Sequence, residues 1–234
     1  MASDISIVLL SLRVAALATA ITLPLGIAVA WLLVRKRPPG RFIIDALVSM
    51  PLALPPVVVG YALLVTFGAS GPAGRAINAV FGADLVFTWF AAALAAAIVS
   101  FPLVVRAFMV ALAGVDPRLE IAARSLGAGP WRVFFTVTLP LAYRGGAAGV
   151  LIGFVRALSE FGATIVVAGN IPGRTQTLPL AIFTRLSAGD DALVVRLALI
   201  SVALAAISLL IHNYLLARAQ ATARASDNPA GLNW

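Results

Sequence analysis

The sequence predicts an all-α membrane protein that crosses the bilayer several times, and three observations carry that expectation. Of 234 residues, 62% are hydrophobic and 11% are charged, whereas soluble domains are roughly 45–50% apolar and about 25% charged. Apolar runs fall at about 6–34, 43–67, 85–114, 145–168 and 192–217, each long enough for the ~20 residues of a membrane-crossing helix. The 17 basic residues are divided unevenly among the loops between those runs. An ordinary soluble enzyme and a disordered chain are both excluded. The 14 prolines and 19 glycines fit this reading, because membrane helices tolerate both residues better than soluble ones do.

The first run exceeds the apolar core of a signal peptide, and Asp4 stands where such a peptide needs a basic residue. It reads as an uncleaved transmembrane helix. Arg35, Lys36, Arg37 and Arg41 follow it. The second run opens on Pro51, Pro55 and Pro56, which remove helical hydrogen bonds at membrane depth. A hinge, a pore lining and a kink serving only packing are all open there, and Gly60 permits close helix approach.

After the third run, residues 115–144 read VDPRLEIAARSLGAGPWRVFFTVTLPLAYR. Asp116 and Pro117 suit an N-cap and first helical position. Gly127 and Gly129 suit a left-handed ending, with Pro130 beyond as a stop. The segment 116–130 therefore predicts a short helix lying along the membrane. Its Ala122, Ala123 and Gly127 leave a low-relief face for another protein, and a plain connector is the alternative.

The fourth run carries Arg156 and Glu160, four apart and so on one helical face. Charges at that depth face a partner or a cavity. A mutually neutralising pair that fixes packing and a polar face along a pathway are both open. The segment AGNIPGRTQTLP at 168–179 has a turn signal. From Thr177 to Leu186 the chain is apolar enough to dip into a bilayer, and about ten residues are too few to cross it. Arg13, Arg106 and Arg196 lie towards span ends and read as snorkelling side chains, and His212 reads as an interfacial polar residue. Residues 219–234 are polar and aperiodic, and read as a disordered tail.

Counting loop by loop gives orientation. Ten basic residues lie in the first loop, third loop and tail, against Arg75, Arg174 and Arg185 on the other side. The basic side is expected in the cytoplasm. That puts the N-terminus outside and the C-terminus inside, which requires an odd number of spans. Five fits, with six the alternative count.

Absences restrict the chemistry. With no cysteine and one histidine, thiolate sites and multi-histidine metal centres are excluded. The single lysine, Lys36, precedes Arg37, so no phosphate-binding Gly-Lys-Ser/Thr loop exists. The chain is expected to bind no cofactor or metal, hydrolyse no nucleotide and, with its arginines scattered between apolar runs, bind no nucleic acid.

The third loop carries a resemblance. Ala122, Ala123, Gly127, Leu139 and Pro140 match the signature of ABC-importer permeases. The segments AWLLVRKRPPG (30–40), PLALPPVVVGYALLV (51–65), SFPLVVRAF (100–108), AARSLGAGPWRVFFTVTLPLA (122–142), SEFGATIVVAGNIPGRTQTLP (159–179) and ISLLI (207–211) resemble the molybdate permease subfamily.

The resemblance implies the type I ABC importer transmembrane domain over 6–217, located in the inner membrane. It also implies a short helix that docks on a separate ATPase through Glu120, Ile121, Ala122, Ala123, Arg124 and Gly127. Ile121 holds the position where the signature has glutamate, and Glu120 is one residue earlier, about 100° round the helix. Docking by shape is then expected, with Ile121 as a knob and Arg124 or Glu120 on the rim.

Arg156, Ser159, Glu160, Phe161, Thr164, Pro55 and Pro56 become candidates for the pathway or gate. Asn170, Pro172, Gly173 and Arg174 would face a periplasmic or lipid-anchored oxyanion-binding protein. The implied partners are that protein, two ATPase subunits carrying ATP and Mg, a second copy of the chain and membrane lipid. Permeases for sulfate or thiosulfate are the near neighbours. A self-sufficient secondary transporter is disfavoured by the single deep carboxylate and the lack of a repeat. A membrane-embedded enzyme is disfavoured by the lack of a catalytic set.

Overall fold

A computed structural model describes residues 4–227, apart from the side chains of Arg144, Leu216 and 218–227. The described residues are helical and contain no strand. The elements are α1 (Asp4–Trp31), α2 (Arg41–Ala53), α3 (Pro56–Phe67), α4 (Pro72–Phe81), α5 (Trp89–Ala113), α6 (Pro117–Ser125), α7 (Pro130–Val133), α8 (Leu139–Leu158), α9 (Gly162–Val167), α10 (Leu178–Ser187) and α11 (Asp191–Asp227). Two π-helical segments, Leu32–Lys36 and Phe134–Thr138, adjoin α1 and α8.

Among the described residues, three helical stretches are long and apolar enough to cross a membrane: Asp4–Lys36, Trp89–Ala113 and Asp191–Leu215. Two bent pairs are apolar enough only when each is taken together, Arg41–Ala53 with Pro56–Phe67 and Pro130–Tyr143 with Gly145–Leu158. Two expected spans therefore differ from straight helices. The second is bent by 106°, because Leu54 is forced into extended backbone before Pro55. The fourth does not run 145–168: its helix ends at Leu158, and α9 follows after a break. The last helix continues to Asp227, so 219–227 is helical where a disordered tail is expected. Its ARAQATARA segment consists largely of strong helix formers. Residues 228–234 lie outside the described residues.

α5 is the axis of the bundle. Ala92, Ala93, Ala95 and Ala96 are fully buried along it, and such small residues let neighbouring backbones approach closely where the hydrophobic effect cannot drive association. Both α1 and α8 lie against it. Along α8, Gly145, Gly149 and Gly153 meet Ala111, Ala107 and Val104 of α5 in turn, so the two helices run antiparallel. A Cβ on Gly149 would collide with the Cβ of Ala107. Gly149→Leu is accordingly expected to cost about 2 kcal/mol by overpacking, a fall of roughly 4–8 °C in Tm for a chain of this length. An unchanged thermal transition in detergent would refute the close approach.

The arginines expected to snorkel are exposed, and each meets a partner on another helix. The Arg13 guanidinium lies 3.7 Å above the centre of the Trp89 ring. Arg106 bonds Asp45 at 3.2 Å and Ser49 at 3.0 Å, and Arg196 pairs with Asp4. His212 of α11 turns inward, with its Nδ1 2.8 Å from the Ala148 carbonyl of α8. An apolar surrounding makes each such pairing preferable to an isolated polar group.

Candidate functional site: a docking helix and a paired helix break

At the C-terminal end of α5, Asp116 accepts the Arg118 N–H at 2.8 Å and caps α6. The helix ends after Ser125, and Gly127 at φ +85° supplies the left-handed turn. Gly129 does not share that role, since it is extended and caps α7, whose first residue is Pro130. The proline expected as a stop thus starts the next helix, consistent with its fixed φ at a first helical position.

The exposed side chains here are Ile121 at 62% and Leu126 at 89%, with Leu119, Ala122 and Arg124 around them. Ala123 is half-buried. Glu120 departs from the expected rim position. It turns into the protein, where Arg35 Nε donates to its Oε1 at 2.9 Å and the Thr138 hydroxyl donates to the same oxygen at 2.8 Å. Composition marked Arg35 only as a topological charge, and no local pattern in the sequence marks Thr138.

The second region lies beside the N-terminal half of α5. Two broken helices meet there. Leu54 and Pro55 separate α2 from α3, which opens on Pro56, while Ser159, Glu160 and Phe161 separate α8 from α9. α3 packs on α9 so closely that a Cβ on Gly60 would come within 2.6 Å of the Ala163 carbonyl oxygen. Gly162, which the sequence reading passed over, abuts Pro56. Its one sequence signal is a glycine two residues after the deep charge of Glu160.

Glu160 accordingly is not on the helix that bears Arg156, yet the pair forms. Arg156 Nη1 donates to Glu160 Oε2 at 2.7 Å, and Glu160 Oε1 accepts the Ala163 N–H at 2.9 Å. The Glu160 side chain is 2% exposed. One carboxylate therefore neutralises an arginine and caps α9. Of the two readings open in the sequence, this geometry favours the mutually neutralising pair.

The other pathway candidates divide. Thr164 is buried, and Phe161 lies against Phe183, with ring centres 5.3 Å apart. Pro55 and Ser159 are exposed. Arg156 and Ser159 open onto a cleft of about 240 Å³, which Ser208 and His212 of α11 also line.

The segment after α9 is packed inward over most of its length. Asn170 donates to Thr184 of α10 at 2.7 Å and accepts from Gln176 at 3.0 Å. Thr175, Gln176 and Thr177 are buried, and Ser11 of α1 accepts the Leu178 N–H at 2.7 Å. Pro172, Gly173 and Arg174 form an exposed tip, so Asn170 separates from the other three members of its expected group. The tip borders a cleft of about 760 Å³ with Ser70, Asp84 and Thr88. Phe87 donates its N–H to Val167 at 3.0 Å, which places this cleft at the N-terminal end of α5, opposite α6.

A family described as "Binding-protein-dependent transport system inner membrane component" matches residues 22–220. The chain belongs to that family. Relatives of this inner membrane component include the "Molybdenum transport system permease protein ModB" of Escherichia coli (strain K12). It is 53% identical over 209 residues, covering 89% of this chain and 91% of the relative. The protein of the same name from Haemophilus influenzae is 47% identical over 218 residues, covering 93% and 95%. The "Sulfate transport system permease protein CysT" of Escherichia coli (strain K12) is 42% identical over 165 residues, covering 70% of this chain and 59% of that one.

Among solved structures, a chain of "Inward facing conformations of the MetNI methionine ABC transporter: CY5 native crystal form" matches with a TM-score of 0.71 at 16% identity. It covers 92% of this chain and 95% of its own. A chain from a bacterial ABC transporter involved in alginate import matches with a TM-score of 0.68 at 15% identity, covering 94% and 80%. The all-helical fold of this inner membrane component is thus shared with ABC importers.

Proposed function

We propose that the chain is the membrane permease subunit of an ATP-driven importer that takes up molybdate or tungstate. The observation that carries this is the 53% identity to a molybdenum permease across nine-tenths of both chains. In this reading the five apolar units each cross the inner membrane once, with the α6 end in the cytoplasm and the 172–174 tip outside. The ten-to-three division of basic residues supports that orientation.

Two copies form the pathway, each docking one ATPase subunit through α6. The chain has no phosphate-binding loop, so ATP and Mg stay on the partner. Closure of the ATPase pair draws the two α6 helices together, and the bent pairs α2–α3 and α8–α9 change their packing to open the path outward. The partner's differential affinity for the two states supplies the free energy. The oxyanion arrives from a binding protein seated on the outer tip, and among the described residues no deep unpaired cation holds it along the way.

The test is uptake by proteoliposomes containing the permease, its ATPase subunit and its binding protein. ATP-dependent accumulation of molybdate over sulfate is the expected result. Accumulation of sulfate over molybdate would replace the substrate with that of the sulfate relative, which matches a shorter stretch at lower identity.

A further inference from the structure

Four chain segments converge on one carboxylate at the α6 end of the bundle. Arg35 belongs to the π-helical segment that ends α1, and Thr138 to the π-helical segment that begins α8. Both donate to the same oxygen of Glu120, which is on α6. Arg35 Nη2 also donates to the Val115 carbonyl at 3.0 Å, in the link between α5 and α6. On the apolar side of the same junction, the Trp31 and Phe134 rings meet edge to face at 6.2 Å.

The junction is shielded. The Arg35 and Glu120 side chains are 15% and 12% exposed, and Thr138 is buried. Charge-assisted hydrogen bonds in a shielded setting are short and strong. The next residue on α6, Ile121, about 100° round the helix, lies on the open surface. Adjacent positions on one short helix therefore face two different neighbours.

Both flanking segments have π geometry for local reasons. Pro140 has no N–H to offer the previous turn, and Leu139 donates to Phe134, five residues back. At the other segment, Arg37 at φ 47° closes the turn by donating to Leu32 at 3.0 Å. A π-helical turn holds a surplus residue and can pass to α geometry by shifting one hydrogen bond, and such turns concentrate at functional sites.

We propose that Glu120 is the positioning residue through which movement of α6 reaches α1 and α8, acting through Arg35 and Thr138 and not by touching the ATPase. This rests on the reading of the chain as an importer permease. The carboxylate ties the docking helix to two helices that run the length of the bundle, each with a segment able to absorb a small displacement. Without that tie α6 can follow the ATPase while α1 and α8 lag.

The experiment uses the full complex of permease, ATPase subunit and binding protein in proteoliposomes with molybdate. It reads the ATPase retained on purification and the ATP hydrolysed per anion imported. Glu120→Ala is expected to retain the ATPase subunit at the unmodified ratio and to raise ATP consumed per anion several-fold. Thr138→Val should shift the ratio in the same direction by a smaller factor, and it decides the matter if the alanine variant does not accumulate. Exchanging the pair, Glu120→Arg with Arg35→Glu, should recover at least half of the lost coupling. Loss of the ATPase from Glu120→Ala would put the carboxylate in the docking interface and overturn the proposal, as would an unchanged ATP-to-anion ratio. An unmodified complex that imports no anion at ATP's expense would overturn the underlying functional reading, and that result appears before any substitution is made.

Discussion

Replacing Glu160 by alanine is expected to remove most of the folded protein from the membrane. The carboxylate is 2% exposed and holds two groups, the Arg156 guanidinium and the first-turn Ala163 N–H of α9. Deleting it strands a partly buried cation and an unpaired donor. Breaking one side of a buried ion pair costs about 3–5 kcal/mol, a large share of the ~5–15 kcal/mol that holds a typical protein folded. The readout is the monodisperse fraction and thermal transition of the purified protein. Replacing both members, Arg156→Leu with Glu160→Leu, removes the stranded charge and should recover much of the loss, since paired replacement by apolar groups is often neutral. If Glu160→Ala left the thermal transition unchanged while abolishing uptake, the carboxylate would belong to the pathway and the packing assignment would be wrong.

Ile121→Asp combined with Leu126→Asp should leave folding intact and eliminate capture of the ATPase subunit. Both side chains are open to solvent, and substitutions at such positions usually change stability within about 0.5 kcal/mol. In a docked complex they would be the most exposed apolar anchors of this small helix, with Leu119 beside them. Placing carboxylates at two anchors is expected to cost at least about 2 kcal/mol each, or roughly 30-fold per site in affinity. Co-purification through an affinity tag on the permease measures it, with Glu120→Ala as the companion that keeps its partner. Stoichiometric retention of the ATPase by the double variant would place the docking surface elsewhere.

These two sites differ in how much of them was legible in the chain. The ends of α6 were legible in the chain, because Asp116, Pro117 and Gly127 are local signals whose partners lie within a turn or two. The Arg156–Glu160 pair was legible for the same reason, being separated by four residues. Its setting was not. A helical register from 145 to 168 places both groups on one continuous helix, whereas Glu160 sits in a break that it caps itself. Periodicity cannot reveal such a break, since residues 159–161 contain neither proline nor glycine. The inward turn of Asn170 was not legible for a related reason. A turn signal marks a loop but does not say which polar side chains Thr184, 14 residues from Asn170, will draw inward.

By itself the sequence determined what depends on composition and on near neighbours. It set the apolar, all-helical character of the chain, the caps of α6 and the lack of a Gly-Lys-Ser/Thr phosphate-binding loop. Hydropathy and capping act over one helix or one turn, so they can be read in order along the chain. The tertiary structure alone decided which way Glu120 faces, where the helices break, and that the two breaks meet. Those choices depend on Arg35, 85 residues from Glu120, and on Ala163, against which Gly60 is seated. In an apolar solvent, buried polar groups take whatever partner the packed helices bring within reach, and that partner is fixed by packing, not by spacing along the chain.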